Sequence, residues 1–309
     1  MSAIFSGIPR LDHIAIGVSS LAEAETNYKE QLGFALFPRG RHEQYGTENS
    51  GAWFADNSYL ELLTYFDKEK AYWLVDFLST QEGAPFFVLQ TSSLDEVAVA
   101  LRRQGFASAD PSVGTISYDG LSDGSSVSWK TLFLPQSFVC GRTMFLIEYD
   151  HSTDTVHPWN RYSVHNNNAH RLLSVWIAVN DREAFKKEYE LLGLKIGREW
   201  EDTHRGAYVT EIPLGNKTKI ELLQPLFSEK SDSGILSQFL QKRGEGVIGF
   251  TIQVGDIAKS KCTLSENLSG HITERSVGQH HSIWIHPEAT NGVWIELRSP
   301  ELNYTKSIF

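Results

Sequence analysis

Cysteine is scarce: Cys140 and Cys262 are the only two in 309 residues, and no CxxC pair occurs. That excludes a disulfide framework or a cysteine-built zinc or redox motif as the basis of the fold. Apolar runs of the roughly 20 residues needed to span a bilayer are missing as well. Positive charge is in deficit, with a net charge of −10 and no basic cluster. Neither a nucleic acid nor an anionic membrane is therefore expected as a partner. The stretch Met1 to Arg10 has no charged region followed by an apolar core, so no export signal is expected. These absences point to a soluble, cytoplasmic protein. The remaining composition, 41% hydrophobic and 21% charged, is that of a globular chain with room for two domain cores.

The informative feature is an internal repeat. Leu11 to Val18 (LDHIAIGV) alternates as a strand does, with Ile14, Ile16 and Val18 on one face and His13, Ala15 and Gly17 on the other. Ser20 stands three residues before Glu23, a capping-box spacing. A helical stretch runs to Leu32, and Gly33 fits the stop. YLELLTY (Tyr59 to Tyr65) is a further strand. The same grammar returns three times. Phe86 to Thr91 precedes a Ser93/Glu96 cap and a stop at Gly105. Leu172 to Val179 precedes an Asn180/Glu183 cap and a stop at Gly193. Val247 to Val254 precedes a cap at Asp256 and a stop at Gly270. Each copy closes on a strand with a glutamate among apolar residues: Glu61, Glu148, Glu221 and Glu296.

Aligning His13, Phe86, Ser174 and Gly249 puts those glutamates 48, 62, 47 and 47 residues downstream. The excess in the second copy is assigned to a polar loop insertion around Gly114 to Ser128. The expected fold is α+β: four tandem βαβββ units paired into two domains. Each domain is a curved eight-stranded mixed sheet with helices outside and a cleft inside. Residues 1–150 form the first domain, 151–168 the linker and 169–309 the second domain. The His- and Asn-rich stretch Asp150 to Asn168 carries the linker.

Period 2 directs His13 and Glu61 into the cleft, opposite Leu60 and Leu62, and the same logic sends Glu148, Glu221 and Glu296 into clefts. A mid-strand carboxylate among apolar residues is costly unless paired or bound to a cation. A solvated sheet face explains one such glutamate equally well; four at one repeat position favour a site.

LDHIAIGV with its capped helix, KIELLQP (Lys219 to Pro225) and HPEATNGVWIEL (His286 to Leu297) resemble the vicinal oxygen chelate superfamily. The last two are similar to methylmalonyl-CoA epimerase and its relatives. GRHEQYGTEN (Gly40 to Asn49) with YLELL resembles the glyoxalase-like domain proteins. The resemblance spans about residues 9 to 300. It implies the paired-unit fold but not one reaction, since that fold hosts isomerases, lyases, ring-cleaving dioxygenases and drug-binding resistance proteins.

The resemblance further implies a divalent metal (Fe, Mn, Zn or Mg) held between paired units. Carried onto this chain, the ligands are His13, Glu61 and Glu148, with Phe86 where a histidine is expected. The second pair keeps only Glu221 and Glu296, which bind metal weakly or share a proton as acid and base. Glu61, Glu148 or His42 is the expected proton carrier. His42 lies in an HxxxGT stretch resembling a cleft wall, either as a fourth ligand, a proton shuttle or an exposed loop residue. His204 with Arg205 reads as a turn or a substrate-carboxylate contact, and His286 as a structural turn residue. Trp176 and Trp294 line the second cleft, fitting a flat apolar ligand or simply filling it.

Two functions follow. One is a metal-dependent isomerase, lyase or oxygenase acting on a small substrate with vicinal oxygens in the N-terminal cleft. Ser174 and Gly249, where dioxygenases carry histidines, speak against oxygenase chemistry. The other is a non-catalytic binder of an aromatic ligand or antibiotic, of the bleomycin-resistance type. A homodimer remains open, because units of this superfamily exchange partners.

Overall fold

Each of the four repeats forms a strand, a helix and three further strands. The computed structural model describes residues 3–107, 110–119, 126–135, 137–149, 158–226, 234–265, 268–277 and 280–300. The first unit comprises β1 (Arg10–Gly17), α1 (Leu21–Thr26), β2 (Phe37–His42), β3 (Thr47–Trp53) and β4 (Tyr59–Tyr65). A connecting helix, α2 (Tyr72–Thr80), leads to β5 (Gly83–Gln90), α3 (Leu94–Arg103), β6 (Ser112–Tyr118), β7 (Ser126–Leu132) and β8 (Met144–Tyr149). The third unit is β9 (Ala169–Ala178), α4 (Arg182–Leu192), β10 (Glu199–Asp202), β11 (Ala207–Pro213) and β12 (Lys219–Pro225). A second connecting helix, α5 (Ile235–Arg243), precedes β13 (Gly246–Val254), α6 (Ile257–Ser265), β14 (Ile272–Val277), β15 (His280–Ile285) and β16 (Trp294–Arg298).

The helix starts follow side-chain chemistry. Ser20 Oγ accepts from Glu23 N and Ser93 Oγ from Glu96 N, each at 3.3 Å. Asp256 Oδ1 accepts from Ala258 N at 2.9 Å and Lys259 N at 3.1 Å. The third helix differs from expectation: Asp181, not Asn180, is its cap, accepting from Glu183 N at 3.0 Å and Ala184 N at 3.2 Å. Both residue types cap well, so one position of offset is invisible in the sequence. At its other end Gly193, with φ +96°, closes α4 in the left-handed conformation.

The expected loop at Gly114 to Ser128 is a correction. Most of it is β6 and β7, paired antiparallel from Ser112↔Thr131 to Ser117↔Ser126; residues 120–125 lie outside the described set. Small polar residues disguised the alternation, in which Gly114 and Ile116 are buried while Val113, Thr115 and Ser117 are exposed.

The strand order gives the two halves different shapes. In the first, β1–β4–β3–β2 joins β6–β7–β8–β5, and β5 pairs back to β1. The ring of eight strands is closed. Its narrowest seam is β2–β6, held by Gly40↔Tyr118 and Arg41↔Ser117. A Cβ at Gly40 would lie 2.6 Å from Ile116 Cδ1 and 2.7 Å from the Tyr118 ring, so glycine permits this contact. In the second half, the described strands run β10–β11–β12–β9–β13–β16–β15–β14 with no pairing of β10 to β14 among the described residues. Between the halves, β5 meets β13 at Ala84↔Val247.

Of the segment read as a polar linker, residues 150–157 lie outside the described set. The rest docks on the first half instead of standing in solvent. Trp159 is 1% exposed and stacks on Phe37 with ring centroids 5.8 Å apart. His165 Nδ1 accepts from Ala35 N, and its Nε2–H donates to the Trp53 carbonyl, both at 3.0 Å. The polar residues of this stretch thus satisfy buried backbone groups. Among the described residues, no helix is long and apolar enough to cross a membrane.

Candidate functional site

The closed first half encloses a cavity of about 250 Å³. An eight-stranded barrel interior has room for one small ligand. His13 enters it from β1, Glu61 from β4, and His42, Thr47 and Asn49 from the β2–β3 hairpin. The rest of the wall is mainly aromatic, including Trp73, Phe86, Trp129, Phe133 and Phe145, and among the described residues no lysine or arginine contributes to it.

His13 and Glu61 meet as expected, with Nε2 3.7 Å from Oε2. Asp12 joins them, which strand alternation alone does not predict. The β1–β5 register slips between Leu11 and His13, leaving Asp12 as the extra residue of a β-bulge. Its carboxylate turns to the His13 side, and Asp12 Oδ2 lies 2.8 Å from His13 Nδ1. The same oxygen accepts from Tyr149 Oη at 3.1 Å. With Nδ1–H committed to Asp12, the Nε2 lone pair faces the cavity. His13 is further held by stacking on Tyr59, 4.4 Å between centroids.

Asn49 is the second residue not foreseen. Its Nδ2 donates to Glu61 Oε1 at 2.6 Å. Glu61 only accepts there, so this contact fixes the amide orientation. Asn49 Oδ1 is buried and has no hydrogen-bond partner. The Tyr118 hydroxyl oxygen accepts from Asn49 and Trp159, and Tyr59 contacts Tyr149. Burial pushes the Tyr59, Tyr118 and Tyr149 phenols up, so all three are neutral at physiological pH.

His42 is a buried wall residue, not an exposed loop histidine. Its Nδ1 lies 3.0 Å from Thr47 Oγ1, and its ring meets Trp129 edge to face at 5.7 Å. Burial lowers its pKa and the Glu61 carboxylate partly offsets that, leaving a neutral imidazole.

Glu148 is not in the cavity, which corrects both roles expected of it. On β8 the inward residues are Phe145, Ile147 and Tyr149. Glu148 points to the opposite face, where Oε2 accepts from Leu94 N at the start of α3, at 2.7 Å. The 62-residue spacing concealed a one-residue change of phase, and in a strand that reverses the face.

Sequence comparison accords with this architecture. The Glyoxalase-like domain family matches residues 11–193, more than half of the chain. The chain belongs to the glyoxalase-like domain family. It is also similar to two epimerases of the vicinal oxygen chelate superfamily. Bovine mitochondrial methylmalonyl-CoA epimerase is 32% identical over 42% of this chain and 74% of its own length. The ethylmalonyl-CoA/methylmalonyl-CoA epimerase of Cereibacter sphaeroides is 34% identical over 41% of this chain and 96% of its own. Two solved structures share the whole fold. A hypothetical protein from Staphylococcus aureus has TM-score 0.65 and 14% identity, covering 95% of this chain and 100% of that one. A variant of 4-hydroxymandelate synthase from Streptomyces coelicolor has TM-score 0.60 and 12% identity, covering 94% and 92%.

The donor set of this glyoxalase-like protein does not complete the metal site that the resemblance implies. Of His13, Glu61 and Glu148, only the first two face the cavity, and Glu61 Oε1 is tied to Asn49. Among the described residues no group of three His, Cys, Asp or Glu side chains is placed to hold a metal ion.

The second half is filled. Glu221 Oε2 meets Arg205 Nη1 at 2.5 Å and its Oε1 meets Lys219 Nζ at 3.1 Å. Glu296 Oε2 accepts from Arg298 Nη2 at 2.6 Å and Thr251 Oγ1 at 2.8 Å. Although burial opposes it, the surrounding cations, Arg205 foremost, hold the Glu221 pKa down at about 2. The two glutamates are therefore ion-paired, not a proton-sharing acid and base. Arg205, read as a turn or substrate contact, is that buried partner, while His204 is exposed with its N–H on Asp202. Trp176, Trp284 and Trp294 pack on one another and leave only about 30 Å³. Of the two readings of these indoles, filling of the cleft is the one the packing supports. His286 is the structural residue expected, 2.8 Å from Thr273 Oγ1 and opening the turn Pro287–Ala289.

Proposed function

We propose that the first-half cavity is the active site of a proton-transfer enzyme of isomerase or lyase type, acting on a small substrate with neighbouring oxygens. His13 Nε2 takes a proton from the bound substrate. The imidazolium formed is held by the Asp12 carboxylate, 2.8 Å from Nδ1, and becomes a hydrogen-bond donor to the substrate. The proton then returns to a neighbouring atom, so substrate protons balance over the cycle. Glu61, oriented by Asn49, is the second group within reach. His42, neutral at physiological pH, is a relay on the adjoining wall. No step here is routed through a metal, because Asp12 is committed to His13 and Tyr149 and Glu61 Oε1 to Asn49.

The observation that carries the reading is the Asp12–His13–Glu61 row inside a closed barrel. The epimerase relatives, whose names describe inversion of a stereocentre, support a reaction of this class. A CoA thioester is a poor match, because the described residues of the cavity wall include no lysine or arginine as counter-charge to phosphates.

The test uses 2-hydroxyacetophenone, which has vicinal oxygens and an acidic C–H. In D2O, proton NMR follows loss of its methylene signal. Exchange by the wild type, lost in His13→Ala and Glu61→Gln, is expected. The aromatic wall favours one other reading, a binding protein without catalysis. Saturable binding of the ketone with no exchange above the His13→Ala background would select it.

A further inference from the structure

The head of the cavity is polarised in one sense. Two acceptor atoms face each other there: His13 Nε2 and Glu61 Oε2. His13 has given its Nδ1–H to Asp12, and Asn49 has given its amide N–H to Glu61. Tyr149 has given its hydroxyl proton to the same Asp12 oxygen, and Trp53 Nε1 donates to Asn160 Oδ1 at 3.2 Å. Thr47 and Thr131 are hydrogen-bonded to His42 and Ser112. The donors of His13, Asn49 and Tyr149 are thus committed within the protein, while His13 Nε2 and Glu61 Oε2 remain as acceptors.

Charge points the same way. Two carboxylates, Asp12 and Glu61, stand at this end, 1% and 5% exposed, against one imidazole. Among the described residues, no lysine or arginine lines the cavity. Nε2 and Oε2, 3.7 Å apart, are too distant to bond directly and leave a gap that one O–H or N–H can bridge. Beyond the head, Phe86 and Phe145 pack edge to face at 5.0 Å, with Trp73 and Phe133 beside them. Such a surface suits the faces and edges of a flat ring.

We infer that this cavity selects a flat aromatic molecule whose head is a hydrogen-bond donor, neutral or cationic, and rejects molecules whose head is an anion. The inference rests on the reading of the cavity as the ligand site and adds the substrate class to it. An anionic head placed here meets the carboxylates of Glu61 and Asp12. An alcohol or ammonium satisfies the acceptors and gains cation–π or ring contacts from the walls.

Benzyl alcohol, benzylamine and benzoate have similar bodies and differ in the head, so calorimetry on the full chain at pH 7 tests the inference directly. Benzyl alcohol and benzylamine are expected to bind about tenfold or more tightly than benzoate. Each should compete with the other. Glu61→Gln should weaken benzylamine and strengthen benzoate, narrowing the gap. Benzoate binding as tightly as benzyl alcohol to the wild type would overturn the inference, with or without the variant. So would binding of none of the three. The proton-transfer reading fails separately: correct head selectivity with no exchange of 2-hydroxyacetophenone removes catalysis alone, and exchange with a preference for benzoate removes the selectivity alone.

Discussion

Asp12 and His13 are adjacent in β1, yet their side chains meet on one side of the strand, with Oδ2 2.8 Å from Nδ1. Only the bulge between Leu11 and His13 allows this, because regular pleating sends neighbours to opposite faces. Asp12 is accordingly a positioning residue for His13. Asp12→Asn keeps the size but no longer stabilises the imidazolium. The expected result is a fall of about 10²-fold in the exchange rate with ligand affinity little changed. A loss of affinity equal to the loss of rate would mean a merely structural role.

Glu148→Gln should leave the cavity untouched. Its carboxylate serves the first turn of α3 through Leu94 N, so the cost is stability, about 1 kcal/mol, read by denaturant unfolding. Binding of benzyl alcohol should match the wild type.

Chelation is a related check. Two protein ligands make a weak metal site, so dialysis against EDTA is expected to leave the exchange rate of 2-hydroxyacetophenone unchanged. A rate lost on chelation and restored by one divalent metal per chain, measured by elemental analysis, would contradict the metal-free reading.

His165 sets an acid limit on stability. Burial lowers its pKa to about 4 from 6.5, the backbone contact to Trp53 opposing in part. Its Nδ1 must stay unprotonated to accept from Ala35 N. A folded pKa below the unfolded one means that folding favours the neutral ring. That stability is present above pH 6.5 and is lost as pH falls toward 4, about 3 kcal/mol in all. His42 is shifted in the same direction. Glu221, held at about 2, acts in a lower window: its contribution is present above its ordinary 4.5 and is lost as pH falls through 2. Urea unfolding at pH 7, 5 and 4 should show the first decline, and His165→Leu should flatten it while lowering stability at pH 7.

Arg205→Met should cost about 3 kcal/mol, because it strands Glu221 and Asp202, both its partners in the second half. Lys219 still reaches Glu221, which limits the loss. The double change Arg205→Met with Glu221→Leu should recover part of it, measured by thermal unfolding.

Much of the architecture was legible in the chain because it rests on local rules. Alternation in LDHIAIGV and YLELL, caps at Ser20 and Ser93, and glycine stops at Gly33 and Gly193 each act within a few residues. Their recurrence determined the four units and sent His13 and Glu61 inward. What depended on long-range geometry was not legible. Ring closure through Gly40 and Tyr118 joins strands almost eighty residues apart by sequence number. The phase of Glu148 turns on one residue within a long unit. Asp12 is turned by a slip against β5 that no residue of β1 announces. The fate of Glu221 and Glu296 was decided by Arg205, Lys219 and Arg298. The sequence by itself determined the repeat and the inward faces, since strand period and helix caps are local properties. Tertiary structure alone decided which cavity stays open and which acceptors in it are left unpaired, because pairing and burial are settled only when distant strands meet.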